Sequence, residues 1–351
     1  MIRAARFPLL TPEYFFENPF DVIPIQRRGG MKVIFDTISE ITLGDEKSHG
    51  NLTMIPILSE SDFEPDYLTL DEALNQKVAK ITEVSASGSV PELRFQNLGN
   101  TPILLLDGEE LVGAKQNRIL NLTILVPEKT TLIIPVSCVE AGRWSYGSDR
   151  SESESFDSSD RTFFAQGRAM KMKQVSLSLK ERGSYQSDQS AIWEKIDTVA
   201  KSLDADSPTS EVGYVYEKHF EKLQEYIDVF PIGKNQIGAL FGISGGVVGF
   251  DLVDSHLTFQ KLMKKLVKSF ALDAIRDTGE QDNVSLKEDA AKFLYLVKKA
   301  KAEKYPAIGR GDTIRLGGDE INGGALVVDD RIIHLSAFPC LNNEKNNEPA
   351  D

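Results

Sequence analysis

Residues 108–121, GEELVGAKQNRILN, place Glu109, Glu110, Lys115, Gln116, Asn117 and Arg118 between the apolar runs ILLL and LTILV. Each of these side chains carries usable chemistry. A carboxylate set among apolar neighbours can serve as a general acid or base once burial moves its pKa toward neutrality. Arginine grips phosphate or carboxylate with two parallel N–H donors. A second cluster follows at Glu140, Arg143 and Trp144, whose indole offers a stacking face for a base or sugar ring. Glu140 and Glu110 are therefore the candidate acid/base groups. Glu109, Lys115, Gln116, Asn117, Arg118, Arg143 and Trp144 are the candidate ligand contacts. The palette suits a small phosphorylated molecule, nucleotide-like or a sugar phosphate.

The strands on either side must position these groups. RILNLTILV (118–126) and TLIIPVSCVE (131–140) can close as a hairpin around PEKTT. The register that opposes Val126 with Leu132 also opposes Ile124 with Ile134, Leu122 with Val136, Leu120 with Cys138 and Arg118 with Glu140. The first four pairs form one apolar face, and a slip of one residue mixes the faces. Arg118 and Glu140 then meet at the open end. Two readings follow. Either they form a structural ion pair in a non-catalytic interaction module, or both line a pocket whose other wall is Lys115, Gln116, Asn117, Arg143 and Trp144.

The wider chain reads as an α+β protein, with an antiparallel β-rich N-terminal half and helices packed on short antiparallel strands in the C-terminal half. Residues 1–30 form an irregular arm with four prolines. Residues 31–144 are the β unit, strand-like from 50 with NLTMIPIL, then a short helix over 68–78 and closely spaced strands after it. Residues 145–160, SYGSDRSESESFDSSD, cannot bury a core and should be a mobile acidic surface loop dividing the halves, a possible lid or a docking point for a protein partner. In 161–338, apolar spacing predicts a helix over 189–204. A second follows Ser207-Pro208, and a third is capped by Asp254 or Ser255 with Lys261, Lys264, Lys265 and Lys268 facing out. A fourth starts at a Ser285/Glu288 capping box and runs to about 303. QIGALFGI and VVGFDLV read as a hairpin around Ser244-Gly245-Gly246, and strands at 313–316, 320–328 and 331–336 close the unit. Residues 339–351 are a disordered tail. Arg161, Arg168, Lys171 and Lys173 read as a solvated basic face, and His219 as a core-edge histidine.

Charge and absences narrow the function. A net charge of −13 opposes binding to nucleic acid or an anionic membrane, and no apolar run is long enough to span a bilayer. Two cysteines and no apparent leader point to a cytoplasmic protein without a disulfide framework. The four histidines are scattered without metal-ligand spacing, and neither a phosphate-binding Gly-rich loop nor a nucleophile elbow is present. No metal and no cofactor is implied. Whether the protein is an enzyme stays open.

The runs LTLDEA, GEELVGAKQNRILN, PVSCVEAGRW, SDQSAIWEKI, SPTSEVGYVYE and QIGALFGISGGVVGFDL occur in that order. Over roughly residues 45–277 the chain resembles the domain family named for its genomic association with ADP-ribosylglycohydrolases and rhodanese-phosphatases. GAKQNR and the PVSCVE and GRW blocks are the specific part of the likeness. The resemblance implies a connection with NAD-derived or ADP-ribose-containing molecules. By position it points to Glu109, Gly113, Lys115, Gln116, Asn117, Arg118, Glu140, Arg143 and Trp144.

Overall fold

The computed structural model describes residues 30–60, 63–85, 87–143, 155–279 and 285–340. The N-terminal arm, the tail from 341, Trp144 and the acidic segment through 154 lie outside the described residues.

In chain order the first elements are α1 (Gly30–Glu40), β1 (Thr42–Leu43), β2 (Lys47–His49), β3 (Leu52–Leu58), β4 (Leu68–Thr69), α2 (Leu70–Asn75), β5 (Ala79–Glu83), β6 (Glu92–Asn97), β7 (Ile103–Leu105), β8 (Glu109–Gly113), β9 (Arg118–Leu120), β10 (Ile124–Val126) and β11 (Thr131–Cys138). There follow β12 (Phe156–Thr162), α3 (Ala165–Arg182), α4 (Gln189–Ser202), α5 (Val212–Lys218), α6 (Phe220–Val229), β13 (Gln236–Ile243), β14 (Gly246–Val253), α7 (His256–Arg276), α8 (Lys287–Lys299), β15 (Lys301–Pro306), β16 (Asp312–Gly317), β17 (Ile321–Val328) and β18 (Arg331–Pro339). The fold is α+β, and β4 with β7 is the one parallel pair among the described strands.

The largest sheet runs β1-β3-β13-β14-β18-β17-β16-β15, with β2 also on β3. Strand β13 is buried at every position because helices cover both of its faces. Met54, Ala239, Phe241 and Val253 point toward the core shared with α3 to α7. Their neighbours Ile55, Leu240 and Leu252 point the other way, toward α1 and α8. A six-stranded sheet, β12-β8-β9-β11-β6-β5, and a three-stranded one, β10-β7-β4, enclose a third core around Phe95, Leu120 and Val136.

Local signals account for many boundaries. Thr69 and Glu72 form a reciprocal capping box at α2, and Ser255 caps α7 as expected. Gly183, at φ 65°, ends α3 with its N–H on the Leu179 carbonyl. The β13–β14 hairpin turns through Ser244-Gly245 as its sequence indicates.

Other expectations change. The halves placed on either side of 145–160 interlock: β3 pairs with β13, and β12 pairs with β8. The single helix after Ser207-Pro208 is two, α5 and α6, broken at His219, which is half-buried with Nε2 3.1 Å from the Leu203 carbonyl oxygen. Helix α8 starts at Lys287 without a side-chain cap. Lys265 and Lys268 face inward, and Arg168 and Lys171 are fully buried on α3, not on a solvated face. For Lys265, Arg168 and Lys171 the reason is a buried carboxylate, Glu109, Asp251 and Asp107 in turn, whereas Lys268 reaches out to the exposed Asp160. Among the described residues no helix is long and apolar enough to cross a membrane.

Candidate functional site

The expected 118–126/131–140 hairpin does not form as one ladder. Strand β11 pairs with β9 through Val136–Leu120 and Cys138–Arg118, two residues away from the anticipated register. Its first half pairs instead with β6, and β10 leaves to join β7. A two-residue shift preserves which side chains share a face, so the apolar alternation could not distinguish the two registers.

The shift changes the ion pair. Glu140 is held by Arg143, not by Arg118: Arg143 Nε donates to Oε1 at 2.9 Å and Nη2 to Oε2 at 2.7 Å. Arg118, buried, donates through Nη1 to the Gln116 carbonyl at 2.8 Å and lies 3.9 Å from Glu83 Oε1. Burial holds its guanidinium below the ordinary value. The third guanidinium nitrogen of Arg143, Nη1, donates to the Ala114 carbonyl at 2.6 Å. That carbonyl is presented by a tight turn in which Gly113 has φ 140° and Ala114 φ 38°.

Asn117 organises this end of the sheet. Its N–H donates to Glu140 Oε2 at 3.2 Å and its Nδ2 to Glu211 Oε1 at 2.5 Å. Its Oδ1 accepts from Gly113 N at 3.2 Å and from Arg143 Nη2 at 3.3 Å. Gln116 Nε2 donates to the Glu140 carbonyl at 2.7 Å. One asparagine thus holds two carboxylates that also meet through a backbone bridge, Glu140 with Glu211. Burial raises the pKa of Glu211, and the charges of Glu140 and Glu110 raise it further.

Gln116, Asn117, Arg118, Glu140 and Arg143 therefore come together, and Lys115 is buried in the same turn. Glu109 and Glu110 point to opposite faces of β8. Glu110 accepts from Arg161 Nε at 2.5 Å, on the side of Glu211. Glu109 accepts from Lys265 Nζ at 2.6 Å, and Lys265 also reaches Asp71 at 2.8 Å. Burial raises the Glu109 pKa despite that lysine. Trp144 lies outside the described residues.

Sequence reading missed Glu211, which sits at the start of α5, far along the chain. It also missed a second buried polar cluster. Arg168 grips Asp251 with two nitrogens, at 2.9 and 2.5 Å. Lys171 Nζ meets Asp107 Oδ1 at 2.5 Å, and His334 links Asp251 to Thr123. Asp251 in VVGFDLV was the available signal: an acid inside a strand otherwise apolar needs a buried cation. Among the described residues no group of three His, Cys, Asp or Glu side chains is spaced to hold a metal ion.

Comparison with curated proteins and with solved structures gives no match. A family model matches residues 40–338, which contain every described residue of the clusters above. The chain belongs to that family, the ARG and Rhodanese-Phosphatase-superfamily-associated Protein domain.

Proposed function

We propose that the Glu140–Glu211 end of the six-stranded sheet binds or processes a small phosphorylated ligand of the ADP-ribose or NAD-derived type. The observation that carries this reading is the unequal treatment of two carboxylates by one asparagine. Glu140 is ion-paired to Arg143, whereas Glu211 takes an amide donor, and burial and the charges of Glu140 and Glu110 raise its pKa against the weaker pull of Arg161. A carboxyl group whose surroundings raise its pKa is suited to donate a proton. Glu211 is the proton carrier in this reading and Glu140 the base, with Glu110 set back behind Arg161. Arg143, whose side chain is 16% exposed, is the cation a phosphate would meet. The family's name supports a link to ADP-ribose metabolism by association alone.

A specific observation favours the rival, a non-catalytic interaction module. All three guanidinium nitrogens of Arg143 donate to groups within the protein, so a phosphate gripped through Nε and Nη2 competes with the Glu140 carboxylate. In that module the cluster is structural and, since residues 156–160 are taken into β12, the acidic residues ahead of it in sequence recruit a protein partner.

A thermal-shift titration of the full chain with ADP-ribose, NAD and AMP separates them. Ligand at about 100 times its dissociation constant stabilises by about 2.7 kcal/mol. The ligand reading expects a shift with one compound that disappears in Arg143→Ala and persists in Glu211→Gln, with turnover lost in the latter. No shift across the panel leaves the interaction module as the better reading.

A further inference from the structure

Between α3 and the strands β16 to β18 lies a cavity with about 10 Å³ of room for the centre of a water-sized guest. Asp107, Thr123, Thr313, Arg315, His334 and Ser336 supply its polar wall. Most of their hydrogen-bonding groups have protein partners. Thr123 Oγ1 accepts from the Asp107 N–H at 3.1 Å and sits 2.7 Å from His334 Nδ1. His334 Nε2 faces Asp251 Oδ1 at 3.1 Å, and because a carboxylate only accepts, Nε2 is the nitrogen assigned as donor there. Arg315 donates to Ser176 Oγ at 3.0 Å and to the Met172 carbonyl at 2.7 Å.

Three wall oxygens differ. Asp107 Oδ2, Thr313 Oγ1 and Ser336 Oγ are buried without a hydrogen-bond partner, in residues 3%, 3% and 0% exposed. Asp107 Oδ2 lies 3.7 Å from Arg168 Nε, near enough for attraction and too far for a hydrogen bond. Buried polar atoms of this kind are the ones that ordered guests satisfy.

Charge selects the guest. The surrounding ionised groups are the cations Arg168, Lys171 and Arg315 and the carboxylates Asp107 and Asp251. A cation would add to an existing positive excess. An anion would face Asp107 Oδ2, which can only accept. A neutral molecule that both donates and accepts fits, and the volume is that of a single water.

We propose that this cavity is a built site for one buried water, which donates to Asp107 Oδ2 and shares a hydrogen bond with Ser336 Oγ. It bridges the segment between β7 and β8 to β18, and so ties the sheet carrying the Glu109–Glu110 strand to the nine-stranded sheet. The site is separate from the Glu140–Glu211 cluster and does not depend on its function.

The test is a crystal structure of the full chain, grown in bromide, at a resolution that places individual waters. The expected result is one peak of water strength within about 2.6–3.2 Å of Asp107 Oδ2 and Ser336 Oγ, with no anomalous signal. Ordered walls around an empty cavity, or a bromide peak inside it, overturn the proposal. Oxygen-17 relaxation dispersion gives a second reading in solution: Ser336→Val should remove one long-lived water relative to wild type, and an unchanged count overturns the assignment. If Ser336→Val does not fold, the wild-type crystal decides alone.

Discussion

Arg168 and Asp251 meet in a two-pronged ion pair whose side chains are both sealed from solvent. The guanidinium beside it holds the Asp251 carboxyl down to about 2 despite burial. Removing one partner leaves a buried charge uncompensated, so Arg168→Met is expected to lose about 3–5 kcal/mol in urea denaturation. Arg168→Met with Asp251→Leu should recover a large part of that loss. The pH sign follows from a lowered folded pKa: the contribution of Asp251 is present above about pH 4, its unfolded value, and is lost as pH falls through about 2.

Asp254 behaves in the opposite sense. Burial raises its carboxyl to about 6, although Tyr67 donates a hydrogen bond to Oδ1 and Arg331 Nε lies 3.4 Å from Oδ2. A raised folded pKa means that the stabilising contribution is complete below about pH 4 and is lost as pH rises through about 6. Wild type should therefore lose roughly 2–3 kcal/mol across that window relative to Asp254→Asn, at about 1.4 kcal/mol for each pKa unit. Urea midpoints measured between pH 4 and 7 check this. Parallel curves for the two proteins would refute it.

Gly113 is required by its surroundings as well as its backbone. A Cβ there would stand 2.6 Å from the Ser155 carbonyl oxygen, at φ 140°. Gly113→Ala should cost about 2–3 kcal/mol and remove hydrogen-exchange protection at the start of β12. Gly183→Ala is the control. Its φ is 65°, but no atom lies within 4 Å of the added methyl, so about 1 kcal/mol is expected.

Cys138 is buried and its thiol is pushed up to about 11, by desolvation first. At pH 8 it should be unreactive toward an aromatic disulfide reagent in the native protein and react fully in denaturant. Native labelling at Cys138, located by mass spectrometry, would contradict its placement.

Much of this architecture was legible because it rests on local chemistry. Ser255 before an apolar stripe marked α7, and Ser244-Gly245 between two apolar runs marked the β13–β14 turn. The cluster of Gln116, Asn117, Arg118, Glu140 and Arg143 was legible from position, since all lie close to β9 or β11 in the chain. The Arg118–Glu140 pairing was not, because a two-residue slip leaves the apolar faces unchanged. Lys265 and Arg168 were misread for a different reason. On a helix, a charge facing outward and one facing a buried acid have the same spacing, and their acids, Glu109 and Asp251, come from distant strands. Glu211 was invisible for the same reason: its partner Asn117 is supplied only by the tertiary fold.

Strand β3 lies between β1 and β13, so an early segment of the chain completes a sheet made mainly of late ones. During synthesis, Leu52–Leu58 emerges long before Gln236–Ile243 exists to pair with it. Until then one edge of an apolar strand stays open, the condition under which nascent chains associate with each other or engage chaperones. Folding of the large sheet is therefore a late event, gated by emergence of residues 236–339 from the ribosome. Non-local pairing of this kind also makes refolding slow compared with helical proteins of similar size.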